Sequence, residues 1–534
     1  MTTLMLNGRV HSPAAPDATA LAVRDGLVVW LGSDDIGRAQ FPDAIVNDLE
    51  GAFIAPAFVD SHVHLTATGL NVTGLDLRSV TSLEQLLTRL VQYAASQPDG
   101  IIWGHGWDES GWPVKTPPTT ADLDRVLDGR PAYLARVDVH SAAASTALRR
   151  LVPELVGAEG FSEQAPLTAD AHHRVRAAAR DLLSPTQRRA AQAAALDLAA
   201  RNGIVAVHEC AGPDIGGADD WADLSSTEHG VEIVGYWGEA VSTAAQARSL
   251  LEQTGARGLA GDLFIDGALG SRTAWLKQPY ADAPHCCGNR YLDVDAVTAH
   301  LLACTEAGVT AGFHVIGDAA VDVVVRAFAQ AVSSFGAPTV ARCGHRLEHL
   351  EMVDDEQARQ LGAWGVVASM QPNFDALWGG TDSMYAQRLG IDRALKLNPF
   401  ALLASAGVPL AFGSDSPVTS MNPWGSVRAA TLHQTPGSAI SARSAFLAAT
   451  RGAWRAGGVR DGMTGTLVPG APASYAVWRV PGGAEALDVT APADAVQRWS
   501  TDPRSRVPAL PPLGPDDDLP TCVRTVRCGE VIHG

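Results

Sequence analysis

Two histidines separated by one residue follow an apolar segment near the start of the chain. The segment reads Pro56-Ala-Phe-Val-Asp-Ser-His62-Val-His64, and its composition predicts a β-strand. Because alternate residues of a strand point the same way, the His62 and His64 imidazoles would face one point beyond the strand end. Two aligned nitrogens suit a metal ion. Such a pair also occurs as ordinary polar residues at a strand edge, so a metal site needs further ligands.

Three later apolar segments also end in a residue that can bind a metal. They are Gly312-Phe-His314, Arg346-Leu-Glu-His349 and Ala411-Phe-Gly-Ser-Asp415. In a barrel of parallel strands, the carboxyl ends of these segments would converge at one mouth. Imidazoles and a carboxylate there provide nitrogen and oxygen ligands of the kind that hold zinc and leave a position for water. Each histidine alone could be a hydrogen-bonded core residue, but the whole set favours a metal site.

The elements that must position these residues are apolar β-type segments alternating with Ala- and Leu-rich stretches. Helices are predicted over stretches such as 188–201, 296–307 and 319–332. The predicted strands are 53–59, 204–207, 263–265, 310–315, 347–350, 366–370 and 410–412. This βα alternation predicts an α/β fold of the (β/α)8 barrel type.

Both ends of the chain instead contain short β-type segments and tight turns. Near the start these are residues 4–6 and 20–31, with the hairpin signal Asp25-Gly26 between two of them. Near the end they are residues 465–478 and 522–532. We therefore predict that the two ends meet in one small sheet domain.

The composition limits the class of protein. Of the 534 residues, 46% are hydrophobic and 18% are charged, so the chain can bury a sizeable core. The net charge of −18 opposes binding to nucleic acid or to an anionic membrane. The start lacks a signal-type pattern, no long apolar run occurs, and the seven cysteines include no Cys-x-x-Cys pair. We expect a cytoplasmic protein with reduced thiols.

Together with further segments, these motifs resemble those of the amidohydrolase superfamily. The resemblance is to its YtcJ-like branch, amidohydrolase family 3, which includes N-substituted formamide deformylases, and it covers nearly the whole chain. The matching segments are Phe58-Val-Asp-Ser-His-Val-His64, Gly106-Trp-Asp-Glu-Ser110, Asp266-Gly-Ala-Leu-Gly-Ser-Arg-Thr-Ala274, His314-Val-Ile-Gly-Asp318, Arg346-Leu-Glu-His349, Ser369-Met-Gln-Pro372 and Gly413-Ser-Asp-Ser-Pro417.

The resemblance implies a TIM-like barrel flanked by a composite β-sandwich. The sandwich would comprise residues 1–55 and 451–534, and the barrel residues 56–450, with an insertion at about 104–178 over the barrel mouth. It also implies a divalent metal cofactor, zinc in one or two ions. The implied ligands are His62, His64, His314, His349 and Asp415.

One position departs from the family pattern. Many relatives have a fourth-strand lysine that is carbamylated and bridges two metals, whereas this chain has Asp262. An aspartate is much shorter than a lysine carbamate, so Asp262 reaches the same point only if the backbone lies several ångströms further inward. The lysines of the chain, Lys115, Lys277 and Lys396, follow no predicted strand. A carbamate bridge is therefore not expected.

Two arrangements remain open for the metal site. It could hold a single metal, or two metals bridged by another carboxylate, for which Glu209 is the candidate. Glu209 could equally be a rim carboxylate hydrogen-bonded to His208. Asp262 could either ligate the metal or hold the rim through hydrogen bonds.

The resemblance implies hydrolysis of a non-peptide C–N bond, in an amide or formamide of small size. The metal would polarise the scissile carbonyl and lower the pKa of a water from 15.7 to about 7, and Asp415 would shuttle the proton. Arg272 could orient an acyl oxygen or a substrate carboxylate, or form a salt bridge with Asp266. Trp107 and Asp108, with Trp112, could bind substrate or pack the insertion.

Other readings of the sequence remain open. The set Arg136, Asp138 and His140 resembles a further family motif and is assigned a supporting or substrate-facing place.

Alternatives to the amidase are a metal-dependent deaminase of a ring C=N bond, a barrel glycosidase with paired carboxylates, and a binding protein on a degenerate barrel. The expected partner is a small molecule rather than nucleic acid or membrane, and self-association would give a homodimer.

Overall fold

The computed structural model describes residues 1–137, 141–483, 486–487 and 509–534. The chain divides into two units. The first contains Met1–His64, Asp197–Gly217 and Glu228–Gly534, and the second contains Leu65–Leu196 and Ala218–Thr227. The segment predicted as an insertion, 104–178, lies inside the second unit, which extends beyond it at both ends. The domain boundaries given above stay predictions.

Parallel strands rich in Val, Ile, Ala and Phe form an 8-stranded sheet in the first unit, each strand lying beside the next one in the chain. Barrel strands one to eight are Phe58–Val63, Ile204–Ala211, Glu232–Trp237, Gly258–Leu259, Thr310–Val315, Arg346–His349, Val367–Met370 and Leu410–Phe412. The chain just beyond the last strand meets the first strand near its carboxyl end, where the Asp415 N–H donates to the His62 carbonyl. The predicted α/β barrel is confirmed.

Helices connect these strands, as the Ala- and Leu-rich stretches predict. Val294–Ala307 is typical, since the Asp293 carboxylate accepts from the Ala296 N–H at its start and Gly308 ends it in a left-handed conformation. In chain order the α-helices are Asp34–Gln40, Leu65–Thr73, Leu83–Ser96, Thr120–Leu127, Thr146–Arg149, Ala169–Asp181, Pro185–Arg201, Gly217–Ser225, Ala244–Thr254, Val294–Ala307, Asp318–Phe335, Ala337–Cys343, Asp355–Trp364, Pro372–Trp378, Met384–Leu389, Ile391–Ala394, Phe400–Ser405, Pro423–Thr431, Ala442–Leu447 and Ala453–Ala456.

The two ends of the chain form two further sheets of the first unit. One contains Thr2–Leu6, Ala20–Arg24, Leu27–Gly32 and Ile45–Asp48, and the other contains Arg9–Val10, Phe53–Pro56, Tyr475–Arg479, Thr521–Arg527 and Glu530–His533. Phe53–Pro56 pairs antiparallel with Tyr475–Arg479 and so joins the two ends of the chain. Side chains of both sheets, such as Leu21 and Val477, share one buried core. The predicted sandwich built from both termini is confirmed.

Segment 53–59, predicted as one strand, is two strands in different sheets. Phe53–Pro56 belongs to the sandwich and Phe58–Val63 is the first barrel strand. The apolar run is continuous because both strands are buried, so its pattern contains no sign of the break at Ala57. The Phe58 ring lies 5.0 Å from the Trp424 ring and packs into an aromatic cluster that includes Trp478.

Two barrel strands differ from prediction. The third, Glu232–Trp237, was not predicted, since it begins with a glutamate and contains a glycine. The fourth is Gly258–Leu259 rather than 263–265, because Gly261 has a left-handed backbone (φ +80°) that ends the strand earlier. Beyond it, Phe264 makes a single parallel bridge to His314.

The second unit has its own 5-stranded sheet. Its strands are Leu75–Asp76, Ile102–Trp107, Ala132–Arg136, Ser141–Ala144 and Leu167–Thr168. Trp107 is buried in the apolar core on one side of this sheet, and its indole N–H donates to the Leu134 carbonyl at 2.8 Å.

Among the described residues, no single helix has the length and apolar character needed to cross a membrane. The consecutive helices Asp318–Phe335 and Ala337–Cys343 meet that criterion only as a pair, and the chain bends by 116° between them.

Candidate metal centre

Six side chains that can ligate a metal converge where the barrel strands end. They are His62, His64, Asp262, His314, His349 and Asp415, and overlapping triads of them bring their ligand atoms within 4.8 Å of one another. All but His64 are buried, and the His64 side chain is 13% exposed. The expected convergence of the five predicted ligands is therefore present, with Asp262 as an additional member.

Asp262 lies among the four imidazoles. Its Oδ1 is 3.5 Å from His62 Nε2, 3.5 Å from His314 Nδ1 and 3.8 Å from His349 Nε2. Its Oδ2 is 3.1 Å from His64 Nε2. One carboxylate thus faces every histidine of the centre.

The second carboxylate of the centre, Asp415, faces only part of this set at such distances. Its Oδ1 is 3.4 Å from His62 Nε2 and 3.3 Å from His64 Nε2. A left-handed backbone at Asp415 (φ +54°) and a hydrogen bond from its N–H to the His62 carbonyl fix its position. His349 likewise has a left-handed backbone (φ +70°). Successive residues of a regular strand face opposite sides, and this backbone lets both Glu348 and His349 face the interior.

Hydrogen bonds on the far side of three rings decide which nitrogen faces the centre. His62 Nδ1 lies 2.9 Å from Glu348 Oε2, His349 Nδ1 lies 2.8 Å from Gln371 Oε1, and His314 Nε2 lies 3.3 Å from the Gly267 carbonyl. Each partner is an acceptor, so the neutral ring donates there and keeps its lone pair on the other nitrogen. All three lone pairs therefore face the centre.

These residues fit a divalent cation. His62 Nε2, His314 Nδ1, His349 Nε2 and Asp262 Oδ1 are buried and have no hydrogen-bond partner among the described residues. Lone pairs of nitrogen and oxygen repel one another unless a positive charge lies between them. Three imidazole nitrogens with aspartate oxygens are a donor set that holds zinc.

The electrostatics of the pocket favour positive charge. Burial disfavours the His64 imidazolium, but Asp262 and Asp415 outweigh burial and raise the pKa of His64 to about 10. Burial also disfavours the Asp262 carboxylate, yet the positive charge that His62 carries when protonated holds the pKa of Asp262 well below its usual value. The pKa of Asp415 is lowered as well. Both carboxylates are therefore in the ionised form that binds a cation.

Two glycines shape the backbone that carries Asp262 into the centre. Gly261 turns the chain after the fourth strand, and a Cβ on Gly238 would lie 2.9 Å from the Asp262 carbonyl carbon. The absence of a side chain on Gly238 therefore lets the ends of the third and fourth strands approach each other closely beside Asp262.

The groups of possible metal ligands among the described residues include Asp262 and do not include Glu209, whose role as a ligand stays a prediction. On strand Ile204–Ala211, His208 contacts Arg346 and Cys210 lies near His62, so both face the barrel interior. Cys210 shares a possible metal-binding group with His62 and Glu348, but burial raises the pKa of its thiol to about 12, and Glu348 is paired with Arg346.

Arg346 occupies the barrel interior, and the sequence analysis assigned it no role. Its guanidinium is fully buried and donates to both Glu348 oxygens, to His208 Nδ1 at 3.0 Å, to the Ser61 carbonyl and to Ser369 Oγ. It also lies 4.3 Å from the centre of the Tyr236 ring. These partners come from barrel strands one, two, three, six and seven. The alternation of Arg346 and Glu348 on one strand was the signal available in the sequence.

Gln371 is the second missed partner, and its replacement gives a direct test of ring positioning. We expect Gln371→Ala to weaken metal binding by about 10–100-fold, because His349 loses the acceptor that fixes its tautomer. Gln371→Glu, which keeps an acceptor, is expected to restore binding. The measurement is the zinc dissociation constant from competition with a chromogenic chelator.

The exposed Gln387→Ala is the matched control and should leave the dissociation constant unchanged. Equal zinc affinity in wild type and Gln371→Ala would show that His349 needs no such support.

The other predicted site residues are not members of the metal-ligand groups found among the described residues. Arg272 forms a bidentate pair with Asp282, at 2.9 and 2.7 Å, and not the salt bridge with Asp266 that was the alternative. Asp266 instead accepts the N–H groups of Trp275, Ile316 and Gly317. The substrate-orienting role of Arg272 stays a prediction.

The candidates from the insertion lie in the second unit. Trp107 is a buried core residue there, and Asp108 is 2.7 Å from Arg136 Nη2. Asp138 and His140 lie outside the described residues. The substrate-binding roles of Trp107 and Asp108 stay predictions.

Comparison with known proteins agrees with this geometry. The profile of the amidohydrolase family matches residues 45–533. The YtcJ protein of Bacillus subtilis (strain 168) is 27% identical over 444 residues, covering 78% of this chain and 80% of its own. The N-substituted formamide deformylase of Arthrobacter pascens is 23% identical over 479 residues, covering 81% of this chain and 84% of its own.

A solved structure is similar over most of its length. It is an uncharacterized metal-dependent hydrolase from Pyrococcus furiosus, 26% identical, with a TM-score of 0.72 over 89% of this chain and 98% of that one. The family profile, the relatives and the centre of histidines and aspartates lead to one conclusion: the chain belongs to the amidohydrolase family, in the YtcJ-like group named amidohydrolase family 3.

Proposed function

We propose that the protein hydrolyses a non-peptide C–N bond, an amide or a formamide, in a small molecule. The observation that carries this proposal is the set of three imidazole lone pairs and two carboxylates facing one buried point. The similarity to a formamide deformylase supports the choice of bond. We take zinc as the metal, because four histidine nitrogens with aspartate oxygens suit zinc.

Asp415 would move the proton in this reaction. When bound, the divalent cation supplies a Lewis acid that polarises a carbonyl and acidifies a water. Burial disfavours the Asp415 carboxylate, but His62 and the hydrogen bond from His64 hold its pKa below the usual value, so it is ionised at neutral pH. Because Asp415 Oδ1 faces the two imidazoles, Oδ2 is the atom left to accept the proton and deliver it to the leaving nitrogen.

The proposed setting is the cytoplasm and the proposed partner is the small-molecule substrate. The cysteines are all free, in keeping with a reducing compartment.

A substrate panel tests this function. The zinc-loaded chain is incubated with N-substituted formamides, N-acyl amines and cyclic compounds with a ring C=N bond, and products are identified by mass spectrometry. We expect a carboxylate and an amine from at least one amide. Chelation should abolish turnover, and added zinc should restore it.

Other outcomes would replace the proposal. Release of ammonia with a ring carbonyl would identify a deaminase, and turnover that survives complete metal removal would exclude metal-assisted hydrolysis. A metal-replete chain inactive on the whole panel would favour a binding protein.

A further inference from the structure

We propose that Asp266 is a positioning residue of the metal centre, which holds in place the carbonyl that fixes the ring of His314. The inference rests on the metal-dependent hydrolase proposed above. It assigns a role to the first residue of the sequence motif 266–274, which is fully buried. Asp266 does not belong to the groups of possible metal ligands found in the described part of the chain, so it would act through another residue.

The acceptor for the His314 ring is a main-chain carbonyl, whereas two other rings of the centre have side-chain acceptors. The Gly267 carbonyl lies 3.3 Å from His314 Nε2, while Glu348 and Gln371 serve the other rings at 2.9 and 2.8 Å. A distance of 3.3 Å is already beyond the usual range of about 2.7–3.2 Å, so a small displacement of the loop would break this bond. The tautomer of His314 therefore depends on how firmly the backbone at Gly267 is held.

The Asp266 carboxylate holds this backbone through three main-chain N–H groups. Its Oδ1 accepts from the Ile316 N–H at 3.0 Å. Its Oδ2 accepts from the Gly317 N–H and the Trp275 N–H, each at 2.8 Å. Ile316 and Gly317 directly follow the fifth barrel strand, which carries His314, and Trp275 belongs to the loop after the fourth strand. One carboxylate therefore joins the two loops, by hydrogen bonds of the strong, charge-assisted kind.

Main-chain hydrogen bonds also join the preceding segment to His314. The His314 N–H donates to the Leu263 carbonyl at 3.0 Å, and the Ile265 N–H donates to the His314 carbonyl at 3.1 Å. These bonds end before Gly267, whose own N–H donates to the Thr273 carbonyl within the same loop. A bond within the loop moves with it and does not attach it to the fifth strand. The side chain of the residue just before Gly267 supplies that attachment.

The three donors need an acceptor on each oxygen of Asp266. Asparagine has nearly the same shape but only one oxygen, and its amide N–H would face a main-chain N–H. Burial raises the pKa of Asp266 to about 7, although the three N–H groups favour the ionised form. Measurements at a pH well above that value therefore compare the carboxylate with the amide.

Zinc binding by Asp266→Asn tests this role. The zinc dissociation constant of the intact chain is measured by competition with a chromogenic chelator, at a pH well above 7. We expect Asp266→Asn to weaken zinc binding by about 10–100-fold, the usual effect of losing a residue that orients a ligand.

Asp318→Asn is the matched control. The Asp318 Oδ1 accepts the Lys277 N–H at 2.9 Å, so this carboxylate also joins the loop after the fourth strand to the chain after the fifth. It does so away from Gly267, with a single N–H group that an asparagine oxygen can still accept. The zinc dissociation constant of Asp318→Asn is expected to equal that of the wild type.

The visible absorption spectrum of the cobalt-loaded chain separates positioning from a general loss of stability. At saturating cobalt the spectrum reports the ligands and geometry around the ion. We expect it to change in Asp266→Asn, because the His314 ring is no longer held, and to stay unchanged in Asp318→Asn. An Asp266→Asn chain that unfolds at lower urea concentration but keeps the wild-type spectrum and zinc affinity would overturn the inference, since Asp266 would then only stabilise the loop.

A crystal structure of the zinc-loaded wild type covers the case in which Asp266→Asn does not fold. We expect zinc on Nδ1 of His314, the Gly267 carbonyl within hydrogen-bond distance of Nε2, and the Asp266 carboxylate bound to its three N–H groups. Zinc on Nε2, or an Asp266 carboxylate that ligates the ion or has left these N–H groups, would equally overturn the inference.

These readouts use no substrate, so they are independent of the reaction. A chain that hydrolyses no amide but shows the expected zinc affinities and cobalt spectra would refute the proposed hydrolysis and leave the role of Asp266 intact. An active amidase whose Asp266→Asn variant binds zinc as tightly as the wild type would do the reverse.

Discussion

Replacing Asp415 with asparagine is expected to lower kcat by about 10²–10⁴-fold, the usual contribution of a positioned proton-transfer group. Asparagine has nearly the same shape and keeps an oxygen for the imidazoles, but its amide cannot accept and release the proton. Turnover is measured at saturating zinc, so that a weaker metal site does not contribute to the loss. Zinc content is measured on the same samples.

The control for this substitution is Asp392→Asn, which changes an exposed aspartate on helix Ile391–Ala394 and should leave kcat unchanged. Near-normal turnover of Asp415→Asn would show that another group moves the proton. A loss of zinc with undiminished kcat per bound metal would reduce Asp415 to a ligand.

The second large effect is expected on stability, from Arg346→Ala. This substitution leaves the Glu348 carboxylate fully buried without its partner, and removing one member of a buried ion pair costs about 3–5 kcal/mol. The free energy of unfolding is measured by urea denaturation of the metal-free chain, so that bound zinc does not add to the stability of the wild type. Arg346→Ala should also lose metal affinity, since Glu348 orients His62.

An exposed pair of the same chemistry is the control. Arg359 lies 2.6 Å from Glu356 on the surface, and Arg359→Ala is expected to leave the free energy of unfolding nearly unchanged, because water solvates both charges. Arg346→Met combined with Glu348→Leu should recover part of the lost stability, because no uncompensated charge remains. A cost for Arg346→Ala as small as that for Arg359→Ala would show that water or another group compensates Glu348.

The histidines of the centre could be predicted because each follows an apolar strand. The alternation of side chains places His62 and His64 together, and the parallel barrel brings the ends of distant strands to one mouth. The sequence therefore indicated the convergence without any contact being known.

The position of Asp262 could not be predicted in the same way. It depends on the left-handed turn at Gly261 and on the close approach of Gly238, a residue from another strand. Such a close approach between strand ends is a tertiary property that has no periodic signal. The expectation for Glu209 came from its place at the end of an apolar run, and it stays a prediction.

The partners behind the ligands were missed for a related reason. Arg346 and Glu348 are charged residues in an apolar setting, and a sequence pattern cannot distinguish a buried pair from an exposed one. The break at Ala57 was missed because a buried strand of the sandwich and one of the barrel have the same apolar character.

The contacts of Arg346 with residues of five barrel strands also have a consequence for how the protein folds during synthesis. Its partners Ser61 and Ser369 are 308 residues apart in the chain, so the guanidinium finds all its acceptors only after the late strands have been synthesised and docked. Until then Glu348 has no complete support and His62 no fixed ring orientation. Capture of the metal is therefore expected to be one of the last events of maturation, and nascent chains that end before Ser369 should be unable to retain the ion.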